Sequence, residues 1–208
     1  MRIEWYGQAC FRLESNGSSL VIDPYQDPEG LLHFPKLDIT ADRVLVTHEH
    51  FDHNNRDAVH LTGKSCELSV RYLEAFHDNA QGRILGSNKV FIVSDGKIKV
   101  VHLGDLGHRL SGQDLEQVYG CDVLMVNVGG FEHSEAVLAT ELMEQIHPRI
   151  LIPMHYRTAC FGFEQMGTVE EFLVNKKGAH RLDVPFIDID SNTPGQIAVL
   201  KLPMELQA

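Results

Sequence analysis

The sequence predicts one mixed α/β domain over residues 1–208, with strands first and then alternating strands and helices. Three observations carry this. Short, β-branched or half-alternating segments separated by turn residues fill the first half of the chain. The strongest amphipathic helical pattern comes late, over residues 134–148. Several apolar runs stop abruptly at histidine, aspartate or glycine, as buried strands do when they feed loops.

Element by element, "MRIEWYG" and "ACFRLES" half-alternate and read as strands, and "NGSSLVID" supplies a turn and then an apolar run. Asn16-Gly17 suits a tight hairpin because both residues tolerate positive φ. "DPYQDPEGLLHFPK" is a long loop rich in Pro, Asp and Gly, and "DRVLVT" is the next strand. "CELSVRYLEAF" fits neither period cleanly, but its β-branched and aromatic content favours strand. "KVFIVSDGKIKVVHLGD" is a hairpin around Asp95-Gly96, and "SGQDLEQVYG" is a short helix with a Gly stop. "CDVLMVNVGG" is a buried strand. In "SEAVLATELMEQIHP", Ala136, Leu138, Ala139, Leu142, Met143 and Ile146 share one helical face, with Ser134 as candidate cap and Pro148 past the end. "RILIPMHY" is a further buried strand, "TVEEFLVNKK" a last helix, and "PFIDID" and "QIAVLKL" are terminal strands.

Composition narrows the function. The chain has ample length for a core without disulfides, and its four scattered cysteines suit reduced core thiols. Net charge is −11 with no basic tract, which argues against long nucleic acid or an anionic membrane as partner. No apolar run reaches membrane-spanning length and the N-terminus lacks a signal-peptide pattern, so a cytoplasmic protein without membrane insertion is expected.

The densest chemistry is "THEHFDH", Thr47 to His53, directly behind the apolar "RVLV". His48 and His50 can converge on one cation from an extended loop, and Asp52 and His53 follow where the loop bends. Imidazole and carboxylate are ligands for zinc, and also for manganese or iron. The bland alternative is a solvated polar loop, but the position after a buried strand favours metal.

"THEHFDH" resembles the signature of the metallo-β-lactamase superfamily, and later segments match its other landmarks in order. "AFHD" presents His77, "HLGDLGH" presents Asp105, "IPMHY" presents His155, and "LVIDP" presents Asp23. Within the superfamily the chain looks closest to small stand-alone hydrolases akin to ascorbate-6-phosphate lactonase and the phospholipase D acting on N-acyl-phosphatidylethanolamine. One departure is Gln8 in "GQACF", where many members of that branch carry histidine. The resemblance implies a four-layer αββα sandwich with metals at one edge. It implies His48, His50 and His77 on one cation, Asp52, His53 and His155 on a second, and Asp105 bridging them. Two divalent ions, zinc by preference, could share a water and lower its pKa towards about 7, giving a hydroxide nucleophile at neutral pH. Asp23 is the candidate for holding a ligand histidine from behind.

Asp52, Asp105 and His108 are the catalytic candidates. His108 could donate a proton to the leaving group or simply hold backbone. His102 lies an odd number of strand positions from Asp105, so it reads as a packed residue rather than a ligand. Tyr156 reads as a packed ring, Gly129-Gly130 as a ligand approach or a tight turn, and His133 as a surface or helix-end residue. The expected activity is hydrolysis of a small, anionic ester, lactone or phosphoester. The alternatives are a di-iron oxidoreductase on the same fold, which would carry glutamate at the position of His50, and a metal-holding binding protein without turnover.

Overall fold

The computed structural model describes residues 1–130 and 134–202. Its elements begin with β1 (Arg2–Gly7), β2 (Cys10–Ser15), β3 (Ser18–Ile22), β4 (Ile39–Ala41), β5 (Arg43–Leu45), β6 (Val59–Leu61) and β7 (Ser69–Phe76). There follow β8 (Ser87–Ser94), β9 (Lys99–His102), α1 (Gly112–Val118), β10 (Val123–Asn127), α2 (Ser134–Ile146) and β11 (Ile150–Met154). The chain ends with α3 (Val169–Leu173), β12 (Ala179–Arg181), β13 (Phe186–Asp188) and β14 (Gln196–Val199).

These strands form a five-stranded sheet, β13-β1-β2-β3-β5, a seven-stranded sheet, β12-β14-β11-β10-β9-β8-β7, and the small pair β4-β6. Asn16 and Gly17 both take positive φ, and Ser15 pairs with Ser18, so a two-residue turn fixes the β2-β3 register. β3, β10 and β11 are buried almost throughout, which is why they read as unbroken apolar runs. One core joins the sheets: the Phe11 ring lies 5.9 Å from His102, and Trp5 lies 5.4 Å from Tyr156. α2 buries Ala139, Leu142 and Ile146 while Val137 faces outward, as its 3.6-residue period requires. It packs on β10 and against α1 and α3. No helix among the described residues is long and apolar enough to cross a membrane.

Strand direction gathers the site. β3 and β5 run parallel in one sheet, and β9, β10 and β11 run parallel in the other. β7 points the same way as β9 because each is antiparallel to β8. The carboxyl ends of these strands are the usual place for a ligand site in sheets of this kind.

Several details differ from the sequence reading. β4 and β6 are three-residue strands in loop-like sequence, too short to show a period. α3 spans five residues, opened by a Thr168–Glu171 capping box and followed by Asn175 at φ 62°. The terminal strands separate, β13 joining β1 and β14 joining β11. Cys10 and Cys121 are core thiols, but Cys160 is exposed in a loop. His133 and the Ser134 side chain lie outside the described residues.

Candidate metal centre

The Thr47–His53 turn follows β5, and Thr47 O accepts from Lys89 N at 2.9 Å, which ties the turn to the other sheet. His53 N donates to His50 O, closing the turn. His77 comes directly after β7, His155 directly after β11, and Asp105 three residues after β9. The structure brings all of them together. Asp105 Oδ2 lies 3.2 Å from both His53 Nε2 and His77 Nε2, 3.3 Å from His155 Nε2 and 3.8 Å from His48 Nε2. Three sets of ligand atoms each lie within 4.8 Å of one another: His48, His50 and His77; His48, His53 and Asp105; Asp52, His53 and His155.

Unusual backbone aims these groups. Gln8, Asp23 and His155 have φ of 50°, 51° and 57°, a left-handed conformation that costs a non-glycine residue on the order of 1–3 kcal/mol. Hydrogen bonds hold each in place. Gln8 O accepts from Trp5 Nε1 at 3.0 Å and from His155 N at 3.1 Å, while Asp23 N donates to Leu45 O. Each strand end therefore turns sharply and presents its side chain to the cluster.

Asp23 sets two histidine tautomers. Its carboxylate accepts from Thr47 N, from Thr47 Oγ1 and from His53 Nδ1 at 2.9 Å. Because the Thr47 hydroxyl donates to Asp23, its oxygen accepts from His48 Nδ1 at 3.0 Å. Both rings donate from Nδ1 and turn Nε2 towards the cluster, where a cation would take the place of a proton. His53 Nε2 is buried, faces Asp52 Oδ2 at 3.5 Å and Asp105 Oδ2 at 3.2 Å, and makes no hydrogen bond. A buried imidazole nitrogen without a partner, facing carboxylate oxygens, fits a divalent cation of the zinc, manganese or iron kind.

The electrostatics agree. Burial pushes the Asp105 carboxyl up, but the charges of His155 and His53 outweigh it and hold the group well below the usual carboxylate range. Burial likewise opposes a proton on His155, yet Asp105 and Asp52 raise its pKa to about 9. His48 goes the other way, lowered to about 3 by burial and the neighbouring His53 charge. Such a cluster binds positive charge strongly, and a metal entering it displaces protons.

Asp105 is itself clamped. Its Oδ1 accepts from Asn127 Nδ2 at 2.9 Å, and its N–H donates to Asn88 Oδ1 at 3.1 Å. Neither asparagine announced itself in the sequence; Asn127 ends β10 just before the glycine pair, a faint signal. Gln8, which in the sequence is only a departure from the family pattern, places its Nε2 2.9 Å from both Asp52 Oδ2 and His155 Nε2.

Other candidates fall elsewhere. His102 is fully buried, with Nε2 on Ala9 O and Nδ1 accepting from Gly104 N. His108 holds backbone. Its Nδ1 donates to Arg109 O and its Nε2 accepts from Phe76 N, so backbone occupies both ring nitrogens. Tyr156 packs its ring on Trp5 and Phe161. A Cβ at Gly129 would stand 2.3 Å from Tyr156 Cα, so this glycine lets the chain after β10 pass close to the chain after β11.

Residues 2–155 match the β-lactamase superfamily domain. The chain belongs to that superfamily. A UPF0173 protein of Pyrococcus abyssi is 32% identical, with 76% of this chain and 84% of the relative covered. A UPF0173 metal-dependent hydrolase of Archaeoglobus fulgidus is 27% identical over the same shares. The crystal structure of a Thermotoga maritima protein, described as a Zn-dependent hydrolase of the metallo-β-lactamase superfamily, is 29% identical. It superposes with a TM-score of 0.74, covering 97% of this chain and 98% of that one. This superfamily member thus shares its fold with metal-dependent hydrolases and is one itself, with a His/Asp cluster suited to metal.

Proposed function

We propose that this hydrolase works with two divalent cations, zinc by preference, and cleaves a small ester, lactone or phosphoester. The observation that carries the reading is the shared position of Asp105 Oδ2, which meets histidines from both outer ligand sets at 3.2–3.3 Å. His48, His50 and His77 would hold one cation, Asp52, His53 and His155 the other, and Asp105 both. Bound in this way, the pair would supply Lewis acidity to activate water near neutral pH and to stabilise negative charge on the reacting oxygens.

The chain's own groups do the rest. Asp23 and Thr47 keep His48 and His53 in the tautomer that exposes Nε2. Asn127 and Asn88 hold Asp105 so that Oδ2, not Oδ1, faces the histidines. Phe51, exposed between His50 and Asp52 and 6.1 Å from the Phe163 ring, offers an apolar shelf for the organic part of a substrate. Two divalent cations would exceed the charge of Asp52 and Asp105, so the mouth would attract an anion despite a net charge of −11.

The test is a screen of the zinc-, manganese- and iron-loaded protein against phosphodiesters, lactones, carboxylic esters and thioesters, with Asp105→Asn in parallel. Turnover by wild type that the variant loses supports the reading. Equal inertness of both across the panel, at full metal loading, would contradict it.

A further inference from the structure

Gln8 is a neutral side chain placed among the candidate ligand atoms of the Asp52–His155 set. It is fully buried, and its Oε1 has no hydrogen-bond partner while its Nε2 touches both Asp52 Oδ2 and His155 Nε2. The backbone beneath it is pinned by Trp5 and by the His155 N–H, so the position of the carboxamide is set by the fold.

The spacing is that of one coordination sphere. Two ligands at about 2.0–2.2 Å from a common cation, at 90–109° to each other, lie about 2.9–3.5 Å apart. His155 Nε2 and Asp52 Oδ2 are 3.4 Å apart, and His53 Nε2 and Asp52 Oδ2 are 3.5 Å apart. The terminal atom of Gln8 stands 2.9 Å from two of these three atoms. An amide nitrogen has no lone pair for a cation and points its hydrogens at one, whereas the amide oxygen is a donor of the carbonyl type. A half-turn of the carboxamide exchanges two atoms of nearly equal size. It leaves one amide atom unpaired, as now, and brings Oε1 to the ligand position.

We propose that Gln8 is a further metal ligand of this chain, giving its Oε1 to the cation held by Asp52, His53 and His155. The proposal rests on the two-cation reading above. It makes that position richer in oxygen than the His48, His50 and His77 position, which has three imidazoles. Loss of Gln8 should therefore weaken one site and leave the other alone.

The test is a calorimetric titration of chelator-treated protein with Zn²⁺ and, separately, Mn²⁺, using wild type, Gln8→Leu, Gln8→Glu and Asp52→Asn. Wild type should take up two equivalents. Gln8→Leu should bind one of them roughly 10–100-fold more weakly and the other as wild type does, the range seen when a supporting group is lost from a metal site. Gln8→Glu, nearly isosteric and still carrying an oxygen, should bind that equivalent at least as tightly as wild type. X-ray absorption of the loaded proteins should show a lower mean oxygen coordination in Gln8→Leu alone. Wild-type affinity for both equivalents in Gln8→Leu overturns the proposal. So does Gln8→Glu weakened as much as Gln8→Leu, which would make Gln8 a hydrogen-bond donor to Asp52. If wild type takes up only one equivalent, and Asp52→Asn takes up the same, the two-cation reading itself fails and this ligand fails with it.

Discussion

Asp105 is the residue on which both ligand sets converge, and its two oxygens are differently employed. Asp105→Asn keeps the shape and removes the charge. Hydrolysis should fall by more than about 100-fold in kcat/KM, beyond what loss of a supporting group usually costs. Asp23 stands one bond behind, since it touches His53 directly and His48 through Thr47. Asp23→Asn should lower metal affinity about 10–100-fold, read by competition with a chromogenic chelator. An unchanged affinity would remove Asp23 from the account. At this scale the charged members were legible: histidine and aspartate crowded behind an apolar strand have few other uses. The neutral members were not. Gln8, Asn88 and Asn127 are ordinary letters in their segments, and their importance arises only from a turn or a strand end that places an amide beside Asp52, His155 or Asp105.

Elements act by how closely their ends approach. A Cβ at Gly107 would meet the backbone oxygen of His77 at 2.3 Å, so the Asp105 loop and the His77 loop are in direct backbone contact. Gly107→Ala should cost about 1–3 kcal/mol, a fall in Tm of about 2–12 °C, and should displace His77 from the cluster. Metal uptake at the His48, His50 and His77 position would fall with it. The loop after His77 is organised by Asp78, whose carboxylate accepts from the N–H groups of Ala80, Gly82, Ile84 and Leu85. Asp78→Ala should speed amide exchange in residues 80–85 by about tenfold or more while strand amides in β8 keep their protection. Uniform protection would show that the loop holds itself. Long elements were legible here because α2, β10 and β11 each display a clear period or an unbroken apolar run. β4, β6 and β12 are three residues long, and only their partners across the sheet define them.

At the scale of the whole molecule, the site ties distant segments together. The candidate ligand atoms come from positions 48 to 155, contributed by both sheets, so cations binding there would act as clamps on the tertiary structure. An ion at a thousandfold excess over its Kd stabilises the folded state by about 4 kcal/mol. Chelation should then lower Tm by about 8–16 °C for each ion removed, restored by zinc. A Tm insensitive to chelator would mean that the cluster is not a metal site. The order of strands and the direction of their carboxyl ends were readable as a pattern, because each proposed ligand falls at the end of an expected strand or in the loop just after it. The assignment of strands to sheets was not, since β13 and β14 look alike in sequence and differ only in which neighbour they meet.

The most direct trial of the account is anomalous diffraction from crystals of the zinc-loaded protein, recorded on both sides of the zinc edge. Two peaks about 3.5–4 Å apart, one among His48, His50 and His77, the other among Asp52, His53 and His155, with Asp105 between them, are the predicted result. A single peak or none at this edge of the sheets, in protein that still hydrolyses its substrate, would contradict it.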